Sequence, residues 1–228
     1  EANAERWRRQ LLGDKAIESN LADWVTEALL AEVVAKTVAT QAAAAMWLRG
    51  TYLVVRAGKA PKLYAPAFPL GGPGAVHPLL LRSGPDVACF VEQLCAAELS
   101  RLSEVGLVCV AEDGALEATR LGEVACTHSV RFATVKGFQE GGSPQDLRQV
   151  FDLLVSAADF EEFRAKQGEK GTLRELARKS VRWTSGEPVN TAARKASVLL
   201  QLALADPPRP QLTWDLRSQQ AQLLKKSA

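Results

Sequence analysis

The sequence is poor in the residues on which most catalysis and metal binding depend. Among 228 residues there are two histidines, His77 and His128, and four cysteines, Cys89, Cys95, Cys109 and Cys126. The cysteines form no CxxC pair and no set with metal-ligand spacing. They read as reduced thiols of an intracellular protein rather than a disulfide framework or a zinc site. An excess of charge is also lacking: 28 Lys+Arg against 26 Asp+Glu leave +2, which excludes a strongly basic nucleic-acid tail. No apolar run reaches the roughly 18 residues of a membrane-spanning helix. Intrinsic disorder is excluded from the other side, by an apolar content of 47%. Gly58-Lys59-Ala60 has neither the upstream glycine nor the following Ser/Thr of a phosphate-cradling loop. Gly-x-Ser-x-Gly and His-Glu-x-x-His are absent. Glu161 and Glu162 are adjacent, so on a helix they point to different faces. The chain by itself is expected to catalyse nothing, and no catalytic, metal or cofactor residue is assigned. It begins at Glu1 and its only methionine is Met46, so it is expected to be a piece of a longer polypeptide or a processed one.

What the sequence has is helical periodicity. Over 20–36, Leu21, Trp24, Val25, Ala28, Leu29 and Val33 recur at spacings of three and four, with Asp23 and Glu27 on the other side. A second helix is expected over 40–57. Residues 61–85 then hold six of the eleven prolines and four glycines, which predicts a long surface loop or insertion over 65–85. Asp86 is read as the cap of a third helix, carrying Val87, Phe90, Val91, Leu94, Leu99 and Leu102 and stopped by Gly106. The short runs 107–110 and 116–119 flank Asp113-Gly114, a hairpin signal. Three helices, a hairpin and a further helix make the order of a winged-helix domain. Helices are expected again over 130–140, 144–157, 160–168, 172–182, 190–205 and 212–228. The fold class read from this pattern is mainly α: a linker helix and winged-helix domain over 1–128, and a second, helical domain over 129–228.

The near-neutral total hides an uneven distribution. Residues 161–228 hold 13 Lys+Arg and 7 Asp+Glu, whereas 1–160 hold 15 and 19. The basic excess suggests a polyanion-facing surface toward the C-terminal end, with ordinary solvated helix faces as the alternative. In the last helix, at about 100° per residue, Leu212, Leu216 and Leu223 fall on one side, and Trp214, Arg217 and Lys225 on the opposite side. A ring to stack a base and cations to hold phosphates are what a single strand of nucleic acid requires. The alternative is a Trp214 packed against a neighbouring helix. Arg178, Lys179 and Arg182, beside Trp183, make a second cluster of the same kind.

Several segments resemble superfamily-two nucleic-acid helicases. They are 18–21 (ESNL), 28–34 (ALLAEVV), 44–64 (AAMWLRGTYLVVRAGKAPKLY), 102–122 (LSEVGLVCVAEDGALEATRLG), 131–138 (RFATVKGF) and 194–204 (RKASVLLQLAL). They follow one another in the family's order across nearly the whole chain. The 131–138 form and Phe160-Glu161-Glu162-Phe163 look most like the meiotic crossover helicases of the HFM/MER type. The chain departs from the family in the length of 65–85, in the alanine-rich 41–45 and in 125–128.

The resemblance implies a winged helix followed by the N-terminal part of a helical "ratchet" bundle that surrounds a translocating strand. It implies two ATPase lobes elsewhere in the polypeptide, where ATP and Mg would bind, and it implies single-stranded or branched DNA as partner. The implied activity is that of an ATP-dependent 3'-5' DNA helicase acting on meiotic recombination intermediates in the nucleus. In it this chain would hold the strand and brace the lobes. An RNA helicase of the spliceosomal type and a free-standing winged-helix protein- or DNA-binding module are the alternatives. Against groove reading by the latter, the 87–102 helix carries Glu92 and Glu98 and only Arg101.

Overall fold

Helix carries both halves of the chain. The computed structural model describes residues 2–12, 17–67, 81, 84–183, 189–205 and 212–227, and contacts divide the fold into two units, Glu1–His128 and Ser129–Ala228. Among the described residues there is one two-stranded sheet, and the architecture is mainly α.

The first unit opens with α1 (Ala2–Leu11), which the periodicity of the sequence does not announce and which leaves Trp7 and Leu11 exposed. Residues 17–20 are clasped to the stretch 56–64. Arg56 grips the Glu18 carboxylate through Nη2 (2.5 Å) and Nε (3.0 Å), and the Tyr64 hydroxyl donates to it at 2.9 Å. The guanidinium's hydrogen bonds hold the Glu18 carboxyl below its usual range. α2 (Val25–Val34) buries Val25, Thr26, Leu29, Leu30 and Val33, the three-and-four spacing of an amphipathic helix.

The single helix expected over 40–57 is two. α3 (Gln41–Arg49) is capped by Thr40, whose hydroxyl accepts from Ala43 N at 3.1 Å, and α4 (Tyr52–Lys59) comes next. The break falls at Gly50-Thr51, where Thr51 turns its hydroxyl back onto Leu48 O at 2.6 Å. Pro61 does not block helix as expected. It stands at the first position of the short α5 (Pro61–Tyr64), where its missing N–H costs nothing. Of the expected 65–85 insertion, Ala65–Ala67 form a 3-10 turn, 84–85 belong to the next helix, and all but Leu81 of the rest lies outside the described residues.

α6 (Gly84–Glu104) starts two residues before Asp86, which lies in its first turn rather than capping it. It buries Phe90, Val91, Leu94, Cys95, Glu98, Leu99 and Leu102. Gly106 ends it at φ +67, a left-handed conformation suited to glycine. β1 (Val108–Val110) and β2 (Leu116–Ala118) pair antiparallel with Cys109 opposite Glu117, and Gly114 at φ +82 makes the turn. The far edge of β2 is stitched to the start of α3 by a Thr40–Ala115 bridge and by Leu116 N donating to Ala39 O at 2.9 Å. Thr119 then caps α7 (Arg120–Thr127), with Gly122 N donating to its hydroxyl at 3.1 Å. α7 runs so close to the hairpin that a Cβ on Gly122 would stand 2.1 Å from Leu107 O. α2 and α6 are the spine: α2 packs on α6, α7 and β2, and α3 packs on α6.

The second unit comprises α8 (Phe132–Glu140), α9 (Leu147–Val155), α10 (Lys170–Lys179), α11 (Ala192–Ala203) and α12 (Trp214–Ser227). The helix expected over 160–168 is instead two 3-10 turns, Ala158–Phe163 and Gln167–Glu169. Phe160 and Phe163 both turn inward at a spacing of three, and Arg164 leaves in an extended conformation (ψ 140) that stops the helix. α11 is the centre. Residues 195–202 are buried without interruption, so this helix has core on every side. α9, α10, α12 and the Ala158–Phe163 turn pack around it.

Candidate nucleic-acid interface

α12 divides cleanly into an inner and an outer side. Leu216 and Leu223 are 1% and 0% exposed and belong to the core of the second unit, with Leu212 packed against it. Across the helix, the Trp214 ring is 81% exposed. Arg217 and Lys225 are exposed too, and among the described residues neither side chain has a hydrogen-bond or ion-pair partner. An unpaired guanidinium and ammonium near an open indole can meet phosphate and base without first breaking an internal contact. The third basic residue of this helix, Lys226, is already committed. Its Nζ lies 2.5 Å from Glu162 Oε1 and 5.8 Å from the centre of the Phe163 ring.

The second cluster is arranged differently. Arg178 and Lys179 end α10 and are exposed, but Lys179 Nζ pairs with Glu175 at 2.6 Å. Arg182 lies beyond the helix with its guanidinium 5.6 Å from the Trp183 ring centre. That indole is turned into the core, 5.2 Å from Phe151, and its backbone is fixed at both ends by Gln201. The bases of this cluster are at the surface, and its ring is half-buried against the core.

One constellation is not apparent from motif or periodicity. Lys195 is completely buried, and its Nζ meets Glu169 Oε2 at 2.5 Å. The same carboxylate accepts from Lys166 N and from Gln219 Nε2, each at 2.9 Å. Burial opposes its charge, yet the bonds from Lys195, Gln219 and Lys166 together prevail and hold the Glu169 carboxyl down at about 2. The one signal in the sequence is a lysine inside the apolar run of 195–202, since a lysine is almost never buried without a partner.

Gly58 and Lys59 are the last residues of α4 and run into Ala60-Pro61, so no loop of backbone N–H groups surrounds them. Among the described residues, no cluster of His, Cys, Asp and Glu could hold a metal ion, and no helix is long and apolar enough to cross a membrane.

The chain is similar to several known proteins. Residues 118–226 match the family model described as the Sec63 Brl domain. The chain is 26% identical over 204 residues, 88% of its length, to the "Probable ATP-dependent DNA helicase HFM1" of Xenopus tropicalis, of which it spans 14%. It is 26% identical over 164 residues, 72% of its length, to the "ATP-dependent DNA helicase MER3" of Saccharomyces cerevisiae, spanning 13% of that protein. To the human "U5 small nuclear ribonucleoprotein 200 kDa helicase" it is 24% identical over 212 residues, 92% of the chain and 9% of the relative. The chain thus spans a small part of the length of the relatives it matches. The Sec63 Brl match over 118–226 and the similarity to the HFM1 and MER3 helicases over most of the chain support a region of the HFM/MER type of superfamily-two helicase.

Proposed function

We propose that this chain is the non-catalytic accessory region of an ATP-dependent 3'-5' DNA helicase that acts on meiotic recombination intermediates in the nucleus. Residues 1–128 are read as the linker helix and winged helix that brace the ATPase lobes. Residues 129–228 are read as the N-terminal part of the ratchet bundle, and α12 as the helix that holds single-stranded or branched DNA between steps. The observation that carries this reading is the outer side of α12, where Trp214, Arg217 and Lys225 stand free opposite a side anchored by Leu216 and Leu223. Trp214 stacks on a base while Arg217 and Lys225 hold phosphates; Arg178, Lys179 and Arg182 add positive charge at a second place. On this reading, ATP and Mg bind in ATPase lobes of the same polypeptide outside residues 1–228.

The wing supports bracing over groove reading. From Leu102 to Thr119 the chain carries Glu104, Glu112, Asp113 and Glu117 and no lysine or arginine, and a surface of that sign repels phosphate. This disfavours the free-standing DNA-binding module. The second reading, an RNA helicase of the spliceosomal type, draws on the U5 relative, which matches a larger share of the chain than MER3 does.

The test is Trp214→Ala in the intact enzyme, with a loss of unwinding greater than the loss of basal ATP hydrolysis expected; equal loss of both overturns the holding role. On the isolated chain the same change weakens single-strand binding by roughly tenfold, the value of about one stacked base. Competition between DNA and RNA oligonucleotides of one sequence decides between the two helicase readings.

A further inference from the structure

A helix fixed by one apolar stripe is free to roll. Leu216 and Leu223 lie seven residues apart, within about 20° of each other around α12, and apolar contact is non-directional. Rolling would carry Trp214, Arg217 and Lys225 out of line with any strand laid along the outer side. Two hydrogen bonds oppose it, one on each flank of the stripe. Gln219 and Gln220 stand about 50° to either side of the leucines. Gln219 Nε2 donates to Glu169 Oε1 at 2.9 Å, and Gln220 Nε2 donates to Leu199 O at 2.8 Å. The second acceptor is backbone of the central helix α11 and cannot move. The first is a side chain, yet it is as firmly held. Glu169 Oε2 already takes Lys195 Nζ and Lys166 N, and Lys195, with no exposed surface, has no other acceptor among the described residues. Releasing Glu169 would leave a buried ammonium uncompensated.

We propose that the ion pair between part-buried Glu169 and fully buried Lys195, acting through Gln219, sets the rotation of α12 about its own axis and thereby positions Trp214, Arg217 and Lys225 for a nucleic-acid strand. This rests on the reading of α12 as the strand-contacting helix. Glu169 and Gln219 are positioning residues: neither touches the strand, and their effect reaches it through the helix. Gln220 on the other flank and Lys226 on Glu162, at the C-terminal turn, complete the set of contacts that keep one side of α12 outward.

The experiment measures binding of the chain to fluorescein-labelled oligothymidylate across a salt series. Gln219→Glu sets a second carboxylate against Glu169 while leaving the Glu169–Lys195 pair in place. It is expected to weaken binding about fivefold and to lower the salt slope by about 0.7, one phosphate contact on a single strand. Gln219→Lys keeps a donor toward Glu169 and restores at least the wild-type slope. Trp214→Ala costs less in the Gln219→Glu background than alone, because the ring is already misplaced. Gln219→Ala carries the same comparisons should Gln219→Glu fail to fold. If Trp214→Ala weakens binding but is fully additive with the Gln219 variants, and their slopes are unchanged, the positioning role is overturned and the strand-contacting helix stands. If Trp214→Ala and Arg217→Ala both bind as the wild type does, the strand-contacting reading falls, and this proposal with it.

Discussion

Glu169 shows how one carboxylate can serve a fold against its own solvation. Its burial favours the protonated form, but an ammonium, an amide and a backbone N–H converge on it and hold it at about 2, against an ordinary value of 4.5. A carboxyl depressed on folding adds stability that is complete above its ordinary value and is lost as pH falls to its folded value. The stability difference between wild type and Glu169→Gln is therefore expected to be constant above about pH 5 and to shrink between about 4.5 and 2. Urea unfolding at a series of pH values measures it, and a difference that stays constant down to pH 2 would refute the role given to this charge. Lys195 could have been suspected from its place in an apolar run. Glu169, in a charged segment that reads as surface, could not.

At the scale of elements, the local stop and start signals act where they stand in the chain. Thr40, Thr119, Asp146 and Thr191 each accept from a backbone N–H of the first turn of α3, α7, α9 and α11. Thr191→Ala is expected to cost about 1 kcal/mol, read as a lower urea midpoint with an unchanged slope; no change would show that packing alone starts α11. Gly106 and Asp113-Gly114 were legible because left-handed backbone is a local demand that glycine answers. The side of α12 that faces the core was legible because 3.6-residue periodicity is local too. The breaks at Gly50 and at 158–169 were not, since phenylalanines at a spacing of three suit an α-helix and a 3-10 turn equally, and only packing around α11 decides. The inward turn of Trp183 was hidden for the same reason: its partners Phe151 and Gln201 come from other helices.

For the molecule as a whole, sign of charge follows the division into units. Counted from the boundary at Ser129, the second unit has 16 Lys+Arg against 11 Asp+Glu, and the first has 12 against 15. Arg217→Glu with Lys225→Glu is expected to abolish salt-sensitive single-strand binding by the intact chain, whereas Arg49→Glu with Arg101→Ala leaves it within about twofold. Comparable losses from both pairs, in a salt titration, would mean that binding is not confined to the second unit. The stitching of the hairpin to the start of α3 also governs how the first unit is made. Thr40 must meet Ala115, and the Thr26 hydroxyl must reach Glu98 across 72 residues, before the sheet edge and the α2–α6 spine are satisfied. The chain between them has to close as a loop first, and that entropy is spent before the contacts repay it. The seam between the hairpin and the start of α3 is therefore expected to form late in the first unit's folding, after the long loop between them has closed.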